Sequence, residues 1–108
     1  LDEKGGPNHV GNFCFAPIIA DTRTGELHYT AEYYYIGHIS KYVQMNARRL
    51  GTATNRDFLT STSFMNPNGQ MVVVVMNSSD QETQYNLWIE GQSVSVKSPA
   101  NSIQTIVI

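Results

Sequence analysis

The sequence predicts a mainly β chain: an antiparallel β-sandwich of about six short strands, preceded by a loop, a short hairpin and one helix. Three observations predict it. Val, Ile, Thr and Ser dominate residues 47–108, in short blocks that alternate or run apolar. Turn chemistry separates the blocks, most clearly at Asn66-Pro67-Asn68-Gly69, where Pro presets one backbone angle and Gly accepts positive φ. No helical period interrupts them. Residues 1–46 are different, being rich in Gly, Pro, His and Tyr, and the chain divides into segments 1–46 and 47–108.

In the first segment, Gly5-Gly6-Pro7-Asn8 is a turn. Three glycines, Gly5, Gly6 and Gly11, make the loop from Gly5 to Phe13 costly to order in backbone entropy. Residues 17–21 read as a short strand, Thr24-Gly25 as a tight turn and residues 26–29 as the returning arm. Thr30 is a candidate N-cap. Tyr35, Ile36, Ile39, Tyr42 and Val43 then recur at helical spacing, so the helix is expected over residues 31–43 with that stripe covered. Gly37 in its interior suggests close approach of a neighbouring element.

In the second segment, strands are expected at residues 47–53, 58–65, 70–77, 82–90, 92–97 and 102–108. The run Val72-Val73-Val74-Val75 is apolar on both faces, so this third strand belongs in the middle of a sheet. Tyr85, Leu87 and Ile89 alternate with Asn86, Trp88 and Glu90, giving that strand one apolar face.

Composition removes several classes of function. The chain has 108 residues, 41% hydrophobic and 15% charged, enough for a packed core and too poor in charge for disorder. Seven Lys and Arg against nine Asp and Glu, with no basic cluster, leave no footprint for nucleic acid. The longest apolar run, residues 71–76, is far short of the ~18 residues of a membrane span. The single cysteine, Cys14, excludes an internal disulfide and argues against a Cys-based zinc site. His9, His28 and His38 share no ligand spacing, so neither a metal nor another cofactor is expected. His38, beside the apolar stripe, is expected to be packed or hydrogen-bonded.

Acid–base chemistry on carboxylates usually needs two that face each other, one of them in an apolar setting. Asp2, Glu3, Asp21, Glu26, Glu32, Asp57, Asp80, Glu82 and Glu90 all fall on loops, turns or element ends, and are expected to be solvated. No catalytic residue is assigned. Cys14, between Phe13 and Phe15, is expected in the core. Tyr33-Tyr34-Tyr35 point in three directions from a helix and are expected to pack rather than stack on a sugar.

The segment Leu1-Asp2-Glu3-Lys4-Gly5-Gly6-Pro7-Asn8-His9-Val10-Gly11-Asn12-Phe13 resembles glycoside hydrolase family 30, the glucosylceramidase-like enzymes. The resemblance continues through Ala16-Pro17-Ile18-Ile19-Ala20-Asp21 and Tyr34-Tyr35-Ile36-Gly37-His38-Ile39-Ser40-Lys41-Tyr42. It recurs at Asn66-Pro67-Asn68-Gly69 before the valine run, and at Pro99-Ala100-Asn101-Ser102-Ile103-Gln104-Thr105. These enzymes are retaining β-glycosidases that pair a (β/α)₈ barrel with a side β-sandwich. The resemblance implies that residues 1–46 are the end of the barrel, with its last helix, and that residues 47–108 belong to the sandwich. The family's two catalytic glutamates lie on earlier barrel strands and match no position here. Asn12 and Phe13 fall on the loop after the last barrel strand, which implies a place at the substrate entrance. His9 stands where the animal glucosylceramidases have Trp, and Phe15 where many relatives have Asp, so a ceramide substrate is not implied. A secreted or periplasmic location is.

Leu1 opens the chain without an initiator Met or a signal peptide, as a piece of a longer protein would. The leading expectation is therefore a C-terminal fragment of a retaining β-glycosidase, inert by itself, whose partners are the catalytic barrel and, through it, a carbohydrate. Without the barrel, the helix stripe is expected to find cover on the sandwich or by self-association. A carbohydrate-binding or interaction sandwich that stands alone is the alternative.

Overall fold

The computed structural model describes all 108 residues. They form two compact units, Leu1–Gly37 and His38–Ile108.

The first unit holds a 3₁₀ turn at Asn8–Val10 and a hairpin of β1 (Ile18–Ala20) and β2 (Leu27–Tyr29). The hairpin pairs Ile18 with Tyr29 and Ala20 with Leu27, and the Ala20 N–H also donates to the Leu1 carbonyl at 2.8 Å. Helix α1 (Ala31–Ser40) follows. Thr30 precedes it as expected, and the Tyr33 N–H donates to the Thr30 carbonyl. The Thr30 hydroxyl, however, lies 3.0 Å from the Ala16 carbonyl, to which it donates, so its side chain ties the helix start to the segment that leads into β1.

The helix stripe is exposed on this chain. No residue of α1 is buried, and Tyr35, Ile36 and Ile39 are 43%, 53% and 43% exposed. Nothing lies within 4 Å of the place a Gly37 side chain would take. The helix also ends before Val43. The Gln44 N–H, which a longer helix would turn back on Ser40, donates instead to Asn66 Oδ1 at 3.0 Å, while Asn66 Nδ2 donates to the Tyr42 carbonyl at 2.9 Å.

The second unit contains β3 (Arg48–Leu50), β4 (Leu59–Met65), β5 (Met71–Asn77), β6 (Thr83–Ile89), β7 (Gln92–Ser98) and β8 (Ser102–Val107). A four-stranded antiparallel sheet runs β3-β4-β5-β8, and β6-β7 form a separate hairpin. The expected six strands are present. β5 lies between β4 and β8 as its valines require, with Val72, Val73, Val74 and Val75 all buried. One face of the sheet carries Leu59, Val73 and Val75, against which Tyr85, Leu87 and Ile89 of β6 pack. The pairing register puts Val72, Val74 and Thr105 on the other face, where His38 Nδ1 lies 2.9 Å from Thr105 Oγ1.

Two turns set the registers. Pro67-Asn68-Gly69 closes β4–β5 as a three-residue loop, with the Gly69 N–H on the Asn66 carbonyl and Gly69 at φ +84°. Glu90-Gly91 closes β6–β7, with both residues at positive φ.

Candidate functional site

The loop from Gly5 to Phe13 is built around Asp2. Its carboxylate accepts the Asn8 amide at 2.6 Å and the Lys4 N–H at 3.1 Å, while its carbonyl accepts the Gly5 N–H at 3.0 Å. The Asn8 amide, with the Gly6 and Lys4 N–H groups, holds the Asp2 carboxyl below its ordinary pKa. These bonds offset the entropy of a glycine-rich turn. Past the 3₁₀ turn, Gly11 adopts φ +66° and Asn12 and Phe13 project from the surface. Phe13 is 61% exposed and Phe15 69%, with their rings edge to face at 5.8 Å.

Cys14 is also exposed, contrary to the core position its apolar neighbours suggest. The error is inherited from those neighbours: alternation fails in a loop, and all three side chains of Phe13-Cys14-Phe15 are exposed. The tyrosines differ from expectation too. Tyr33, Tyr34 and Tyr35 are 42%, 61% and 43% exposed, and Tyr29, Tyr33 and Tyr34 form an edge-to-face chain at 4.8 and 5.4 Å.

Among the carboxylates, Asp21 is the exception to solvation. Its side chain is only 12% exposed and receives the Arg23 guanidinium at 3.0 Å and the Arg23 N–H at 2.9 Å. Arg23 and its own N–H lead the causes that hold Asp21 down at about 2. Glu3 accepts the Thr22 N–H and hydroxyl, each at 3.0 Å, and is lowered chiefly by that N–H. Asp2, Glu3, Asp21 and Glu32 are all shifted downward, which fixes them ionised. A general acid needs the opposite shift. The nearness of Glu3 to Asp21 escapes a reading by sequence spacing, because the hairpin brings residue 3 beside residue 22. The parallel bridge of Asp2 to Ala20 does this, and no side-chain pattern signals it.

In the second unit, a cleft of about 880 Å³ opens between the four-stranded sheet and the β6–β7 hairpin. Its apolar walls include Leu50, Leu59, Met71, Val73, Leu87 and Ile89. Tyr85 faces the same interior, where burial raises its pKa and Gln104 Nε2 donates to its hydroxyl at 2.6 Å. Trp88, on the opposite face of β6, is 68% exposed. The cleft brings no carboxylate together with a second titratable acid, so it offers apolar binding and no acid–base chemistry.

Comparison with known proteins gives a consistent picture. Residues 46–106 match the family model of the glycosyl hydrolase family 30 beta sandwich domain, and residues 1–43 match that of the same family's TIM-barrel domain. The chain is 34% identical over 83 residues to mouse lysosomal acid glucosylceramidase, a match covering 76% of this chain and 16% of the mouse protein. The crystal structure of SrfJ from Salmonella typhimurium superposes with a TM-score of 0.93 at 32% identity, covering 100% of this chain and 24% of that one. An endo-β1,6-glucanase shares the fold with a TM-score of 0.83 at 22% identity, over 97% of this chain and 24% of its own. The chain thus spans about a sixth to a quarter of the proteins it matches.

Proposed function

The chain belongs to glycosyl hydrolase family 30, and from that membership we propose that it is the C-terminal part of a retaining β-glycosidase, in which the sandwich supports the catalytic barrel. One observation carries the reading: two models of one family tile the chain in order, barrel over residues 1–43 and sandwich over residues 46–106. That order supports a division into a terminal barrel segment, residues 1–46, and a sandwich, residues 47–108. The exposed stripe of α1 is the surface such a barrel would cover, and the apolar area left in water supports a partner there rather than solvent. Self-association covers the same stripe when the barrel is absent.

Carbohydrate reaches this chain through the barrel. Loops at the C-terminal face of a barrel form its active site. Asn12 and Phe13 lie at the substrate entrance in this reading, Asn12 by hydrogen bonding and Phe13 by apolar contact. Their exposure on the Asp2-anchored loop supports it. The alternative of a carbohydrate-binding sandwich has one exposed aromatic to work with, Trp88, because Tyr85 is turned into the interior. A stacking platform normally uses more than one ring.

The test is hydrolysis of aryl β-glycosides by the enzyme that carries this chain, followed by proton NMR of the first-formed sugar. Release of the β-anomer is expected. Release of the α-anomer, or no hydrolysis of any β-glycoside, would overturn the assignment. In the same enzyme, Asn12→Ala and Phe13→Ala, made singly, should raise KM or change aglycone preference with the protein still folded. Unchanged kinetics on every accepted substrate would reduce the loop to a connection.

A further inference from the structure

The Phe13 ring occupies the space that a side chain on residue 5 would need. A Cβ built on Gly5 falls 2.6 Å from Phe13 Cε2 and 2.8 Å from Cγ, closer than carbon atoms can approach. Gly5 also stands at φ +67°, in the left-handed region that L side chains resist. Its backbone is pinned on both sides: its N–H donates to the Asp2 carbonyl at 3.0 Å, and its carbonyl accepts the Cys14 N–H at 2.6 Å. The second of these bonds joins Gly5 to the residue that follows Phe13, so backbone and ring are held together. Gly5 is buried, yet Phe13 beside it remains 61% exposed, with Phe15 edge-on at 5.8 Å. One side of the ring therefore rests on main chain, one edge meets a second ring, and the remainder faces solvent.

We propose that Gly5 is a positioning residue for Phe13: by having no side chain it seats the ring against the main chain, so that Phe13 and Phe15 together present a fixed apolar corner to the aglycone of a β-glycoside. The proposal rests on the reading of this loop as a substrate entrance. A ring held in place before binding loses little rotamer freedom when the ligand arrives, which is where preorganisation adds affinity. The corner is apolar and makes no hydrogen bond, so it discriminates in favour of long-chain alkyl or aryl aglycones and is indifferent to an aglycone as short as methyl.

The experiment compares Gly5→Ala, Phe13→Ala and the double variant in the enzyme that carries this chain, on an octyl and a methyl β-glycoside of the same sugar. Each single change should raise KM for the octyl glycoside about tenfold, keep kcat, and leave KM for the methyl glycoside within about twofold. The double variant should match either single, because both act through one ring. A Gly5→Ala enzyme with wild-type KM for the octyl glycoside, or a double variant whose effects multiply, would overturn the proposal. Should Gly5→Ala fail to fold, proton NMR of Phe13→Ala supplies the answer. The Gly5 α-protons should be shifted upfield by the ring in the wild type and move downfield in the variant. Identical shifts in the two proteins would sink the positioning role. The two readings fail separately: unchanged kinetics in Phe13→Ala removes the entrance itself, whereas a raised KM in Phe13→Ala but not in Gly5→Ala removes only the role of Gly5.

Discussion

Asn77, at the end of β5, is 1% exposed and has both ends of its amide engaged. Nδ2 donates to the Gln81 and Pro99 carbonyls, each at 2.9 Å, and Oδ1 accepts the Ser79 N–H at 3.0 Å. The side chain thus joins the end of β5 to the approach of β6 and to the β7–β8 connection. Asn77→Ala removes these bonds together with one to the carbonyl of the buried Ser98 at 3.3 Å, each worth about 0.5–1.5 kcal/mol. A loss of about 3 kcal/mol is expected, read as a lower urea midpoint at unchanged slope. A midpoint equal to wild type would show that water replaces the amide. Asp21 gives a different signature. Its folded carboxyl titrates at about 2 instead of 3.8, with Arg23 the leading cause. A depressed folded value means that the contribution is whole above pH 3.8 and is lost as pH falls through about 2. Arg23 is 75% exposed, so salt should weaken the effect. Asp21→Asn should lose less melting temperature than wild type between those two pH values. Parallel acid limbs would show that the pair does not contribute.

At the scale of elements, turn chemistry and tertiary contact divide the outcome. The strands were legible because each boundary carries its own local signal. Pro67-Asn68-Gly69 meets the demands of a three-residue loop residue by residue, and β4 and β5 pair in one register from Leu59–Asn77 to Met65–Met71. Helix α1 was legible at its start and not at its end, because Asn66, more than twenty residues onward, captures the Gln44 N–H that a longer helix would use. The β6–β7 turn is the weak junction. Glu90 sits at φ +50° ahead of Gly91 at +81°, a pair of angles that favours Asn-Gly. Glu90→Asn should therefore stabilise the chain by up to about 1 kcal/mol, with a higher melting temperature. No gain would mean that the turn relaxes in solution. Strand β5 sets the opposite extreme. Val73 is 2% exposed in the cluster with Leu59 and Val75. Val73→Asp places an unpaired carboxylate there at a cost of several kcal/mol, comparable with the ~5–15 kcal/mol that holds a domain. Loss of the cooperative thermal transition is expected, and a melt within a few degrees of wild type would contradict the central position of β5.

For the molecule as a whole, the fold was more legible than the site, for a physical reason. Strands and turns are written in local periodicity, whereas a site is made by residues that only folding brings together. The loop bearing Asn12 and Phe13 stood out through its glycines, but the contact of Phe13 with Gly5, the exposure of Cys14 and the approach of Glu3 to Asp21 depend on how the chain closes on itself. In that last approach Asp21 is close enough for its charge to oppose ionisation of Glu3. The pair is nonetheless arranged against hydrolysis. A retaining glycosidase needs one ionised nucleophile and one protonated acid, so its two carboxyls must be driven apart in pKa. Here the Thr22 N–H holds Glu3 below its ordinary value, and Arg23 holds Asp21 lower still, so both are ionised at neutral pH and neither can donate a proton. Both are also committed to hydrogen bonds that fix the hairpin. The 108-residue chain should accordingly release no chromophore from aryl β-glucosides, β-xylosides or β-fucosides above the rate in buffer. Glu3→Gln and Asp21→Asn serve as the decisive controls. Turnover that survives repurification and vanishes in either variant would make these two residues a catalytic pair and displace the barrel as the source of the acid and the nucleophile.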